Sequence, residues 1–130
     1  MDIFKRVLKA AIDGGASDIH VKINAPIIVR IDGNLIPIEA PNPTKEWMQK
    51  VVDTIVPGHL KERFLSEREI DFSYFSEGLG RFRTNLFQQR GELCLSLRYV
   101  KTDIPTFEEL GLIPKLREVA MAPRGIVLVS

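Results

Sequence analysis

Cysteine is all but missing from this sequence. Cys94 stands alone among 130 residues, so no intrachain disulfide can form, and the thiol is expected to pack as a small apolar strand residue in a reducing compartment. Long apolar runs are missing too. Nothing approaches the roughly 20 residues that a membrane-spanning helix needs, and Met1 to Lys9 mixes acid and base instead of building a signal peptide. An excess of either charge is absent as well: 18 basic against 17 acidic side chains leave a formal net charge of +1, which gives no bulk field to draw nucleic acid or an anionic membrane. The expectation is a cytoplasmic chain with no transmembrane segment and no nucleic-acid partner. Catalytic signatures are also lacking. There is no glycine-rich dinucleotide fingerprint, no Ser/His/Asp order in context and no Cys–His arrangement. Asp18, His20 and the distant His59 fall short of a metal site in ligand count and spacing, so no metal is expected. Asp18 and His20 read as a surface pair, and Glu69 and Asp71 as surface strand residues.

What is present is a core-forming pattern, with 45% hydrophobic and 27% charged residues, as one soluble domain of ordinary size requires. Ile3, Phe4, Val7, Leu8 and Ala11 recur at helical spacing behind Asp2, a candidate N-cap, and Gly14-Gly15 closes the run. Ser17 to Ile23 alternates strictly, with Ile19, Val21 and Ile23 inward and Asp18, His20 and Lys22 outward, the period of a half-buried strand. Ile27 to Ile31 and Leu35 to Ile38 flank Asp32-Gly33, a strong hairpin signal because the tight turn needs positive φ at both central residues. Thr44 can cap a helix carrying Trp47, Met48, Val51, Val52 and Ile55, which Pro57-Gly58 breaks. His59 to Arg68 continues as a helix with Leu60, Phe64 and Leu65 inward.

Three strands follow, at Glu69 to Phe75, Gly80 to Gln89 and Glu92 to Val100, and form an antiparallel meander. If Arg90-Gly91 is the two-residue turn, Gln89 faces Glu92, and the same register sets Phe82 by Tyr99, Thr84 by Leu97 and Leu86 by Leu95 on one face. The other face then carries Arg81, Arg83, Asn85, Ser96 and Arg98, with Arg83 directly opposite Arg98. Two like charges so placed repel unless an anion sits nearby. Pairing Phe72 with Phe82 would bring Asp71 beside Arg83 as an internal partner. A bound phosphate is the functional alternative, since guanidinium groups stay charged and offer forked donors. Contact with a nucleic-acid backbone through Arg81, Arg83 and Phe87, or plain solubility, completes the open readings.

Beyond Lys101 the texture changes. Lys101, Thr102, Asp103, Ile104 and Pro105 show no periodicity, and Thr106 opens a short turn with Glu109 placed for a capping box and Gly111 ending it. Pro114 to Met121 can form a short helix, and Ile126 to Val129 is a continuous apolar run of the buried parallel-strand type. The expected division is a domain over 1–100, a linker over 101–112, and the start of a second domain over 113–130.

Five segments in order carry a resemblance: Gly15-Ala16-Ser17-Asp18-Ile19-His20, Val29 to Leu35, Gly80 to Asn85 with Gln89-Arg90-Gly91, Pro105 to Leu112, and Pro123 to Val129. Together the chain resembles the PilT-type twitching-motility and pilus-retraction ATPases of the secretion ATPase superfamily. That resemblance implies an α+β fold, a PAS-like antiparallel sheet flanked by helices. A linker and the first elements of a RecA-like α/β domain, truncated before its phosphate loop, would follow. It implies a parent that hydrolyses ATP with Mg as a hexamer, peripheral at the inner-membrane base of the type IV pilus. Its partners would be its own C-terminal ATPase domain, neighbouring subunits and the pilus inner-membrane platform. Arg83 and Arg98, with Arg81 and Arg90, are then the residues expected to reach the nucleotide phosphates, and Lys101 to Thr106 the hinge. This stretch alone is expected to hold no complete catalytic site and to bind no nucleotide tightly. The rival expectation is a stand-alone PAS-like sensor or interaction module.

Overall fold

A computed structural model describes residues 2–130. Helix α1 (Asp2–Asp13) is followed by β1 (Asp18–Lys22), β2 (Ile28–Ile31), β3 (Asn34–Pro37), α2 (Lys45–Ile55) and α3 (Gly58–Glu67). Then come β4 (Glu69–Ser76), β5 (Gly80–Gln89), β6 (Glu92–Val100) and a short α4 (Lys115–Ala120). The six strands form one sheet in the order β3-β2-β1-β6-β5-β4, and every neighbouring pair is antiparallel. The architecture is α+β.

Local chemistry sets the ends of the elements. Helix α1 includes Asp2 in its first turn, where a carboxylate favours the helix dipole, so Asp2 is not the residue ahead of the helix as the sequence pattern implied. The helix closes when the Ala16 amide bonds the Ala11 carbonyl and the Gly15 amide bonds the Ile12 carbonyl, both at 2.9 Å, with Gly15 at φ +78°. The β2–β3 turn has Asp32 at φ +48° and Gly33 at +82°, and the β5–β6 turn has Arg90 at +53° and Gly91 at +79°, as two-residue hairpin turns require. Thr44 accepts the Trp47 amide at 3.1 Å and caps α2.

One continuous core lies between one sheet face and the helices. Phe4, Leu8, Met48 and Val51 meet Ile19, Val21, Phe82, Leu86, Leu95 and Leu97, all nearly or wholly buried. A string of rings fixes the centre. Phe4 lies edge-on to Trp47 with centroids 6.1 Å apart, and Tyr74, Phe82 and Tyr99 follow at 6.3 and 5.5 Å. The opposite sheet face presents its polar side chains outward.

Four expectations are corrected. Leu65 is 68% exposed on α3, which buries Phe64 alone, because ten residues of helix lying at the sheet margin cover only a narrow stripe. Strand β4 pairs two residues away from the expected register, so that Phe72 faces Thr84, Ser73 faces Arg83 and Asp71 faces Asn85. A slip of two keeps every side chain on its face and escapes the alternation test. Asp18 is buried, although it points to the polar side of the sheet. Finally, Ile126 to Val129 forms no strand and its side chains are exposed, since none of the six strands extends to it. Lys101 to Thr106 carries neither helix nor strand. Thr106 and Glu109 do form the reciprocal capping box, with the Thr106 amide on Glu109 Oε2 at 2.8 Å and the Glu109 amide on Thr106 Oγ1 at 3.2 Å.

Candidate anion site on the open sheet face

The register of five strands writes a single row across the open face. Arg30 on β2 faces Asp18 on β1, Asp18 faces Arg98 on β6, Arg98 faces Arg83 on β5, and Arg83 faces Ser73 on β4. Three guanidinium groups and one carboxylate therefore share one line. Asp18 is the charge that makes the row tolerable: its Oδ1 accepts Arg98 Nε at 2.8 Å, and Arg30 Nε approaches Oδ2 at 3.6 Å. The Ser17 hydroxyl donates to Oδ2 at 2.8 Å. Burial pushes the Asp18 carboxyl up, but the bonds from Arg98 and Ser17 and the positive field of Arg98 outweigh it and hold the group below its ordinary range.

Arg83 is different. Among the described residues it makes no side-chain hydrogen bond and no ion pair, because Asp71, its expected partner, accepts instead from Asn85 Nδ2 at 3.3 Å. The same amide reaches Glu69 Oε1 at 3.1 Å. Arg83 and Arg98 overhang a shallow depression of about 280 Å³, lined by Asp18, Asp71, Asn85 and Ser96 as well. Ser96 Oγ lies 3.3 Å from His20 Nδ1, which separates His20 from Asp18 as a functional pair. Of the other arginines, Arg81 donates to Ser73 Oγ at 2.8 Å and lies 5.9 Å from the Phe75 ring centroid, so it is partly engaged on the same face. Arg90 sits in the β5–β6 turn, seven residues from Arg83 or roughly 23 Å along an extended strand, and is not brought to the row.

The chemistry fits a phosphoryl group. A phosphoryl oxygen needs charged donors with open N–H groups, and this face offers Arg83 complete and the terminal nitrogens of Arg98. It offers no metal cradle, since no group of three or more His, Cys, Asp or Glu is gathered among the described residues.

No protein-family model matches the chain. Individual relatives do. The chain is 32% identical over 116 residues to the type IV pilus retractation ATPase PilT of Pseudomonas aeruginosa, a match that covers 89% of this chain and 34% of that protein. It is 29% identical over 125 residues to the type IV pilus ATPase PilU of the same organism, covering 96% and 33%. The crystal structure of the pilus retraction motor PilT with bound ADP superposes with a TM-score of 0.78 at 37% identity, over 90% of this chain and 34% of that one. The chain belongs to the PilT-type family. It spans about a third of the length of the curated relatives it matches, and its six-stranded sheet with flanking helices matches the PilT amino-terminal domain.

The sequence of this PilT-type chain brought Arg83 and Arg98 into view but not Asp18. A pairing between β1 and β6, 80 positions apart at Asp18 and Arg98, leaves no local trace. The available signal was an imbalance: an arginine-rich face demanded an anion, and an aspartate next to a serine stood on the polar side of a strand.

Proposed function

We propose that this chain is the amino-terminal domain of a hexameric pilus-retraction motor ATPase of the type IV pilus. In this reading residues 1–100 form the domain, 101–112 the linker and 113–130 the entry to a RecA-like ATPase domain. That second domain binds ATP with Mg, and the amino-terminal domain closes over the nucleotide and presents Arg83 and Arg98 to its phosphates. The observation that carries the reading is the pairing of those two arginines on one face, with Arg83 in no ion pair among the described residues. In a phosphoryl transfer, charge builds on equatorial oxygens, and fixed guanidinium donors lower the barrier. Arg81 stands two residues along the same strand and is a lesser contact; Arg90, in the β5–β6 turn, lies outside the row. Lys101 to Thr106, without regular structure, serves as the hinge that turns closure and release into motion. The motor works at the cytoplasmic base of the pilus, with the inner-membrane platform as its partner. No helix among the described residues is long and apolar enough to cross a membrane.

The test is ATP turnover by the intact motor. Arg83→Ala and Arg98→Ala are each expected to lower it by roughly tenfold or more, the scale at which a donor to transition-state charge is felt. Wild-type turnover in both variants overturns the reading. A free-standing sensor module is the outcome favoured if the intact gene product proves to lack a phosphate loop.

A further inference from the structure

The bond between Asp18 and Arg98 has a direction. Arg98 donates to Asp18 through Nε, the nitrogen at the base of the guanidinium fork, and its two terminal nitrogens make no hydrogen bond among the described residues. The Arg98 side chain stays 67% exposed while Asp18 is only 10% exposed, so the carboxylate forms a floor and the fork stands out of it. We propose that Asp18 is a positioning residue that grips Arg98 by Nε and holds its terminal donors toward the depression shared with Arg83, pre-set for a phosphoryl oxygen. The inference rests on the nucleotide reading above and adds a residue to it.

Three features make Asp18 suited to this task. It is pinned itself, by the Ser17 hydroxyl at 2.8 Å and by ladder pairing to β2 and β6, so it can fix a longer side chain. It engages Arg30 from the other side at 3.6 Å, but Arg30 Nη1 is committed to the Gly33 carbonyl at 3.1 Å, which ties that arginine to the β2–β3 turn and away from the depression. An arginine otherwise loses much rotamer freedom when it binds a ligand, and a grip at Nε removes part of that loss beforehand. A carboxylate bonded at the terminal nitrogens would have the opposite effect, because it would occupy the donors that phosphate needs.

Two measurements test the proposal. In the intact motor, Asp18→Ala should lower ATP turnover by about tenfold or less, with Asp18→Asn smaller in effect because an amide oxygen still accepts one bond. In an Arg98→Ala background Asp18→Ala should add nothing, whereas in an Arg83→Ala background its effect should persist. In the chain itself, the Arg98 Nε–H nuclear resonance should be discrete and slow to exchange, and should move to the position of a free arginine in Asp18→Ala. Normal turnover in Asp18→Ala while Arg98→Ala is impaired overturns the positioning role and leaves the nucleotide reading standing. An Asp18→Ala loss that persists without Arg98, or an Nε–H signal unmoved by either Asp18 variant, overturns it equally. If Arg83→Ala and Arg98→Ala both turn over normally, the nucleotide reading falls and this inference with it.

Discussion

At the residue scale the decisive feature is how four charges divide among three arginines and one aspartate. Asp18 satisfies Arg98 and reaches Arg30, so the row stays folded without a ligand, and Arg83 is the cation left over. This arrangement gives an acid-side signature. The folded carboxyl of Asp18 is depressed, so its stabilising contribution is complete above the ordinary aspartate value of about 3.9 and is lost as pH falls through the lower folded value. Urea denaturation should therefore show Asp18→Asn less stable than wild type by about 1 kcal/mol at pH 7, a modest figure because Arg98 is largely solvated. The difference should shrink toward zero near pH 2, and a difference that grew on acidification would contradict the assignment. Neither the pairing nor its pH consequence could be read from composition. Asp18 and His20 share a polar strand face in sequence, but their partners, Arg98 and Ser96, come from a strand that only the closed sheet brings alongside.

At the scale of elements, turns and caps were legible because they are local. Arg90-Gly91 fixes the β5–β6 register through its own backbone geometry, and every pair from Arg81 and Val100 to Gln89 and Glu92 follows. The connection from β4 to β5, Glu77-Gly78-Leu79, lacks such a signature, and alternation alone cannot tell a register from one two residues away. The α3 face failed for a related reason: Leu60, Phe64 and Leu65 have helical spacing, but how much of that stripe meets the sheet is decided by where the helix is set down. Backbone requirements supply the matching prediction. Gly33 sits at φ +82° with open space around its Cα, so Gly33→Ala should cost about 1 kcal/mol through strain alone. Gly80 sits at +115° where an added Cβ would lie 3.2 Å from the Tyr99 ring, so Gly80→Ala should cost more. Thermal melts of the two variants would settle the ranking, and the reverse order would mean that the Tyr99 ring yields freely.

For the whole molecule, the two sheet faces have different work: one is consumed by the core, and the other is left to polar side chains in register. Beyond Val100 the chain adds no strand to the sheet, and its apolar side chains, Ile104, Met121 and Ile126 to Val129 among them, are exposed. Their pattern was readable as a buried strand, but burial needs neighbours, and none of the six strands supplies one. Amide hydrogen exchange should record this difference directly. In the 130-residue chain by itself, the central amides of β5 and β6 should exchange most slowly, and those of residues 126–129 close to the rate of an unfolded chain. Protection at 126–129 would show that the run pairs with another chain instead.

Whether Arg83 and Arg98 meet a phosphate is tested most directly by a structure of the intact protein with a slowly hydrolysed ATP analogue. Terminal guanidinium nitrogens of both residues should lie within about 3.2 Å of phosphoryl oxygens, with Arg98 Nε still on Asp18. Both arginines turned to solvent in every subunit, with the phosphates satisfied by other groups, would contradict it.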